Sequence, residues 1–112
     1  CPAGAMGEGG PDVSRCLSEL TQRKGALTAE EEARLRAHPL IWGCDFCQRA
    51  CPFNAAPART LLPEFSAGLV DSLGPADLEG LTNRTFRDKY GDRAFAWRGP
   101  GPLRRNLSLK EE

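Results

Sequence analysis

The chain has 112 residues, with fifteen Lys or Arg side chains and fifteen Asp or Glu side chains. This length predicts one small domain, and the balanced charge indicates no particular class of partner. No apolar run is long enough to span a membrane, and no signal peptide is apparent. A reducing cytosol is therefore the expected location, where the five cysteines favour metal binding over disulfides.

The first predicted element follows a loop. Residues 1–11 are rich in glycine, and Asp12 or Ser14 is expected to cap a short helix that runs to Leu20. The chain begins with Cys1 and has no initiator methionine, so we expect it to be a fragment of a larger protein.

A capping box predicts the second helix. Thr28 is followed three residues later by Glu31, which indicates the start of a polar helix that ends near Ala37. His38 precedes Pro39, and the residue before a proline disfavours the helical conformation. We expect His38 to be a surface or packing residue rather than a metal ligand.

The second half of the chain predicts further helices. Pro75 suits the first turn of one helix, residues 82–90 form another that stops at Gly91, and residues 103–107 form a short helical segment. No sustained strand alternation is present. The expected fold class is therefore mostly α with irregular loops.

The cysteines carry the chemical signal. Cys44, Cys47 and Cys51, followed by Pro52, have the spacing C-x2-C-x3-C-P, which ends the bacterial ferredoxin pattern for [4Fe–4S] clusters. The tight turn of such a motif directs successive thiolates to different irons. In two-cluster ferredoxins the last cysteine binds the neighbouring cluster.

This rule predicts a division of the five cysteines. Cys1 precedes a proline and fits the last cysteine of an earlier motif, so it joins Cys16, Cys44 and Cys47 on one [4Fe–4S] cluster, while Cys51 serves another. A zinc site of four thiolates, or of three thiolates and an imidazole, is one alternative. Structural thiols are the other alternative.

Charge is distributed unevenly along the chain. Residues 1–80 hold seven Lys or Arg against eleven Asp or Glu, whereas residues 81–112 hold eight against four. A basic final third could contact phosphates. A solvated helical face with ordinary surface charges is the alternative, and the small excess of charge favours it.

Two segments carry a family resemblance. Residues 15–21 read RCLSELT, and residues 42–54 read WGCDFCQRACPFN. They resemble the patterns R-C-[IL]-S-x-L-T and G-C-D-x-C-Q-x-x-C-P-x-N of the epoxyqueuosine reductase family. Residues 86–90 and 94–107 resemble the segment that closes the ferredoxin-like region of that family.

The resemblance implies a fold and an activity. Epoxyqueuosine reductases are cobalamin-dependent oxidoreductases with two [4Fe–4S] clusters, and they remove the epoxide oxygen of epoxyqueuosine in the tRNA anticodon loop. Residues 1–56 would be a truncated ferredoxin-type cluster region of the α-helical kind, and residues 57–112 a helical extension that packs on it. The corrin-binding domain would lie upstream.

The fragment would accordingly deliver electrons without being catalytic by itself, and its electron donor is unknown. Arg98, Arg104 and Arg105 are candidate tRNA contacts. For Trp97 the alternatives are packing and a stacking surface for a splayed base, and packing is favoured. Two other functions are weighed against this one. The first is electron transfer by a generic ferredoxin or by another corrinoid reductase, such as a reductive dehalogenase. The second is a zinc-binding interaction module.

Overall fold

The computed structural model describes residues 1–111, and most of the regular structure within them is helical. The helices are α1 (Leu17–Gln22), α2 (Ala29–Ala37), α3 (Phe46–Ala50), α4 (Pro75–Leu78), α5 (Asn83–Tyr90) and α6 (Gly101–Glu111). Two short antiparallel strands, β1 (Met6–Gly7) and β2 (Gly10–Pro11), form a hairpin. The mostly helical prediction is confirmed. No helix in this part of the chain is long and apolar enough to cross a membrane.

Local signals account for the helix ends that were predicted. The backbone N–H of Glu31 donates to the Thr28 hydroxyl at 3.2 Å, and the Thr28 N–H donates to the Glu31 carboxylate at 2.9 Å. This reciprocal capping box starts α2, which ends before His38. Thr82 caps α5 in a similar way, and α5 ends at Tyr90.

The N-terminal part differs from the prediction in two respects. A single helix from Asp12 to Leu20 is wrong, because Cys16 has an extended backbone with φ −69° and ψ 119°. It separates a 3₁₀ turn at Val13–Arg15 from α1. The loop predicted for residues 1–11 contains the small hairpin, whose two-residue strands are too short to show alternation.

Two groups of buried apolar side chains form the core, and α6 contributes to both. The first group consists of Leu17, Leu20, Leu35 and Leu109. The second consists of Leu78, Phe86, Tyr90 and Leu103. Burial of each such side chain stabilises the fold by roughly 1.5–3 kcal/mol before the loss of conformational entropy is counted. Helix α6 therefore joins the cysteine-bearing half to the second half.

Three cations on α6 bind the carboxyl ends of other helices. Arg104 donates to two carbonyls at the end of α4, at 2.5 and 2.7 Å. Arg105 donates to three carbonyls at and beyond the end of α1, at 2.6, 2.9 and 3.3 Å. Lys110 donates to carbonyls at the end of α2, including that of His38. Each cation thus adds side-chain donors to carbonyls at or just beyond a helix end, where the regular helical hydrogen bonds stop.

Candidate metal centre

The five cysteines are all free thiols. Cys1 and Cys47 are exposed, while Cys16, Cys44 and Cys51 are half-buried. Soft thiolate ligands suit iron–sulfur clusters and zinc. Their chemistry and their freedom from disulfides therefore fit the cluster predicted from the spacing.

The ligands of a cluster need not converge as closely as those of one ion. Within residues 1–111, no three His, Cys, Asp or Glu side chains form a group that could hold a metal ion. In a [4Fe–4S] cubane each thiolate binds a different iron, so the ligands surround a larger object. The agreement of this site with a [4Fe–4S] cluster consequently rests on the chemistry of its five thiols. The division of the cysteines between two clusters stays a prediction.

A tight turn presents Cys44. Gly43 before it and Asp45 after it both have left-handed backbone conformations, with φ of 74° and 63°. A Cβ at Gly43 would meet no other atom within 4 Å, so glycine is favoured there by the backbone conformation and not by lack of space. Helix α3 begins directly after this turn and carries Cys47. Cys44 packs against the first core group.

Cys51 lies at the other end of α3, where it is the C-cap. Its carbonyl accepts the backbone N–H of Asn54 at 3.0 Å. The Asn54 side-chain amide donates to the backbone and side-chain oxygens of Gln48, both at 2.9 Å. These are local contacts, so Cys51 is placed by its immediate neighbours in sequence.

Cys1 and Cys16 belong to segments that are tied together. The Ala5 N–H donates to the Cys1 sulfur at 3.4 Å. In iron–sulfur proteins, hydrogen bonds to the ligand sulfurs help to set the potential of the cluster. The Arg15 side chain donates to the Ala3 carbonyl at 3.0 Å and so joins the Cys1 loop to the residue preceding Cys16. Cys16 itself is the N-cap of α1.

His38 is a buried packing residue. Its Nε2 lies 2.8 Å from the Gly43 carbonyl oxygen, and because a carbonyl can only accept, Nε2 carries the hydrogen. Nδ1 is buried and has no hydrogen-bond partner among residues 1–111. The packing role expected for His38 is thus confirmed, while a surface position is wrong.

Trp97 lies on the surface, with 62% of its area exposed, so the expected packing role is wrong. Its indole N–H donates to the Gln22 side chain at 2.8 Å, and the Arg98 guanidinium lies 4.0 Å from its ring centroid. Beside it is a groove of about 360 Å³ whose lining contains no Asp or Glu. The cations that line the groove are Lys24, Arg87, Arg93 and Arg98.

Arg104 and Arg105 are placed differently from Arg98. Both already donate to backbone carbonyls, and burial lowers the pKa of Arg105. Arg98 instead is exposed beside Trp97. The sequence prediction missed Lys24, Arg87 and Arg93. The basic final third gave a general signal for Arg87 and Arg93 but none for Lys24. The predicted tRNA contacts stay predictions.

Comparison with known proteins supports the cluster assignment. Residues 1–54 match a family model described as a 4Fe-4S double cluster binding domain. An epoxyqueuosine reductase of Lactococcus garvieae is 37% identical in an alignment of 110 positions that covers 96% of this chain and 30% of that protein. One of Bacillus cereus is 39% identical in an alignment of 116 positions that covers 97% of this chain and 29% of that protein.

Solved structures agree with the curated relatives. The epoxyqueuosine reductase of Bacillus subtilis matches with a TM-score of 0.73 and 34% identity, covering 98% of this chain and 30% of that one. An epoxyqueuosine reductase with an epoxyqueuosine-modified tRNA stem loop matches with the same TM-score and identity, covering 98% of this chain and 29% of that one.

The chain therefore spans about three tenths of the length of these relatives. The resemblance inferred from its motifs is confirmed in both sequence and fold. Over almost its whole length, this chain is similar to part of an epoxyqueuosine reductase, and its first half matches that domain of the [4Fe–4S] type.

Proposed function

We propose that this chain is the electron-delivery part of an epoxyqueuosine reductase. The observation that carries the proposal is the match of residues 1–54 to a double cluster domain, together with five free thiols in those residues. Reduction of the epoxide to an alkene takes up two electrons and two protons and releases the oxygen as water. Cobalamin, when bound by the upstream corrin domain, would supply the cobalt centre for this reduction.

The proposed ligands divide as the spacing predicts. Cys1, Cys16, Cys44 and Cys47 bind one [4Fe–4S] cluster, and Cys51 binds the other. Their partly exposed thiols are accessible to a cluster. The Ala5 N–H at the Cys1 sulfur supports a thiolate at that position.

Metal and acid-labile sulfide analysis of the chain, reconstituted without oxygen, tests this division. We expect about four irons and four sulfides per chain. Replacing Cys16 or Cys44 by Ser should abolish cluster binding, while Cys51→Ser should preserve it. Stoichiometric zinc without sulfide, under conditions that allow cluster assembly, would contradict electron transfer.

The proposed domain arrangement follows from the same assignment. Residues 1–56 form the cluster region, and residues 57–112 pack on it as a helical extension. Contacts of α6 with α1 and α2 support this arrangement. The chain alone is not catalytic, so turnover of epoxyqueuosine tRNA by the isolated chain would contradict this part. A cytosolic location suits both reduced thiols and a tRNA substrate.

The surface beside Trp97 supports a tRNA contact centred on Arg98. An exposed ring next to a groove lined by cations offers stacking for an unstacked base and attraction for phosphates. Arg104 and Arg105 are weaker candidates because their guanidinium groups already donate to carbonyls. The solved relative with a tRNA stem loop supports RNA as the partner.

Salt dependence of tRNA binding to the full-length protein tests the contact. Arg98→Ala should reduce the slope of log affinity against log salt by about one. Arg59→Ala, at an exposed arginine elsewhere on the chain, is the matched control and should leave the slope unchanged. An unchanged slope for Arg98→Ala would contradict the contact and show that Arg98 is an ordinary solvated surface residue.

A further inference from the structure

Three buried polar side chains converge on the backbone immediately before Cys44. Thr21, His38 and Asn106 are 0%, 3% and 1% exposed, and all three bind residues 41–43. They come from α1, the end of α2, and α6. We refer to these three side chains as the clamp.

Thr21 holds the N–H of Gly43. Its hydroxyl oxygen accepts that N–H at 3.0 Å and donates its own hydrogen to the Ser18 carbonyl at 2.8 Å. The donor and acceptor functions of the hydroxyl are both used. The side chain is therefore fixed in one orientation within α1.

Asn106 holds the carbonyl of Ile41. Its side-chain amide nitrogen donates to that carbonyl and to the Thr21 carbonyl, both at 2.8 Å. Its side-chain oxygen accepts a hydrogen from Arg105 at 3.0 Å. Because both backbone partners can only accept, the orientation of the amide follows from its contacts.

His38 holds the carbonyl of Gly43 at 2.8 Å through Nε2. The planar trans peptide then directs the N–H of Cys44 to the side away from His38. Since Thr21 binds the other polar group of Gly43, the peptides on both sides of that glycine are fixed. The left-handed turn that presents Cys44 thus has little rotational freedom.

Core packing alone does not require this arrangement. Buried polar groups cost free energy unless they are paired, and hydrogen bonds specify one conformation more strictly than apolar contacts do. Among the described residues, His38 Nδ1 is the one buried side-chain N or O atom of the clamp without a hydrogen-bond partner. Here the backbone contacts of the network end at the residue before a proposed cluster ligand. The geometry points to Thr21, His38 and Asn106 as positioning residues that orient Cys44 toward its iron, an inference that rests on the proposed cluster.

Thr21 offers a matched test in the full-length, cluster-loaded protein. Thr21→Val preserves the shape but removes the hydroxyl, whereas Thr21→Ser preserves the hydroxyl. We expect Thr21→Val to release cluster iron to a chelator about tenfold faster and to change the electron paramagnetic resonance spectrum of the reduced cluster. Thr21→Ser should retain the parental rate and spectrum.

His38 supplies a second, independent pair in case Thr21→Val does not fold. His38→Gln retains a side-chain N–H donor, while His38→Leu removes it. Faster iron release and an altered spectrum for His38→Leu, with recovery in His38→Gln, would support the clamp. Ser108→Ala, at an exposed hydroxyl of α6, is the control for nonspecific effects on that helix and should match the parent protein.

The results that would contradict the clamp differ from the result that would contradict the proposed function. Parental spectra and release rates for folded Thr21→Val and His38→Leu would overturn the positioning role. Equal losses in Thr21→Ser and Thr21→Val would also overturn it, because they would assign the effect to packing. A full-length protein without iron and sulfide would instead contradict the proposed function itself.

Discussion

The backbone on the two sides of α3 is held in contrasting ways. Residues 41–43, before Cys44, are bound by buried side chains from α1, α6 and the end of α2. Residues 52–70, after Cys51, form two isolated 3₁₀ turns and leave large apolar side chains exposed, including Phe53, Leu61 and Phe65. This chain therefore builds firm support for Cys44 but not for the segment that follows Cys51.

The contrast supports the proposed division of ligands. The proposed cluster on Cys1, Cys16, Cys44 and Cys47 would lie beside a core that this chain supplies. The other cluster, bound by Cys51, would have its remaining ligands elsewhere. Weak long-range support after Cys51 is what such a division leads us to expect.

The largest change in the free energy of unfolding is expected at Asn106. We compare it with Asn54, whose side chain makes equivalent contacts. Asn106 and Asn54 each donate from the side-chain amide to two oxygens, but Asn106 is buried and Asn54 is exposed. Asn106→Leu should lower the free energy of unfolding by about 3 kcal/mol, because two buried carbonyls lose their partner. Asn54→Leu should cost less than about 1 kcal/mol.

Chemical denaturation of the 112-residue chain followed by circular dichroism measures both changes. Equal losses for the two variants would contradict the contrast between the two sides of α3. A large loss for Asn54→Leu alone would place the firmer support after Cys51.

A smaller change in the free energy of unfolding is expected when the pH is lowered. The Thr28 N–H and the Arg23 guanidinium hold the pKa of Glu31 below its ordinary value. The folded carboxyl thus binds a proton less readily than the unfolded one does. Its contribution to stability is complete above the ordinary glutamate pKa and is lost as the pH falls through the lowered value.

Denaturation between pH 3 and pH 7 checks this expectation, and Glu31→Gln should show a shallower loss of stability toward acid than the parent chain does. Glu30→Gln is the matched control on the same helix, because the Glu30 carboxylate is largely exposed and lies 3.5 Å from Arg34. A parental acid profile for Glu31→Gln would show that the Glu31 carboxylate does not contribute to the loss of stability in acid.

The smallest change in the free energy of unfolding is expected for a substitution in the segment after Cys51. Leu61 is 97% exposed, so Leu61→Ser should change the free energy of unfolding of this chain by less than about 0.5 kcal/mol. Leu35→Ala, in the first core group, should cost about 3 kcal/mol in the same measurement. A loss above 1 kcal/mol for Leu61→Ser would show that residues 52–70 are packed.

Local signals in the sequence predicted local structure well. The capping box of Thr28 and Glu31 and the helix after Thr82 depend on residues three apart, so their patterns are visible in the sequence. The cysteine spacing likewise indicated cluster chemistry, and the matching family model supports that assignment.

Long-range contacts could not be predicted in this way. Nothing local to Asn106 or Lys110 shows that each binds backbone carbonyls more than sixty residues earlier in the chain. The exposure of Trp97 was also missed, because its ring lies at a surface formed with α1. Such roles depend on how α6 and its neighbours meet in three dimensions.

The position of Asn106 after the cysteines in the sequence has a consequence for biosynthesis. The ribosome makes Cys1, Cys16, Cys44 and Cys47 well before it makes α6. Until α6 emerges and docks, Ile41 lacks the side chain that holds its carbonyl. The mature environment of Cys44 is therefore completed only after α6 has emerged and docked, and a cluster delivered to the nascent chain before that point would meet a more mobile loop than a cluster delivered afterwards.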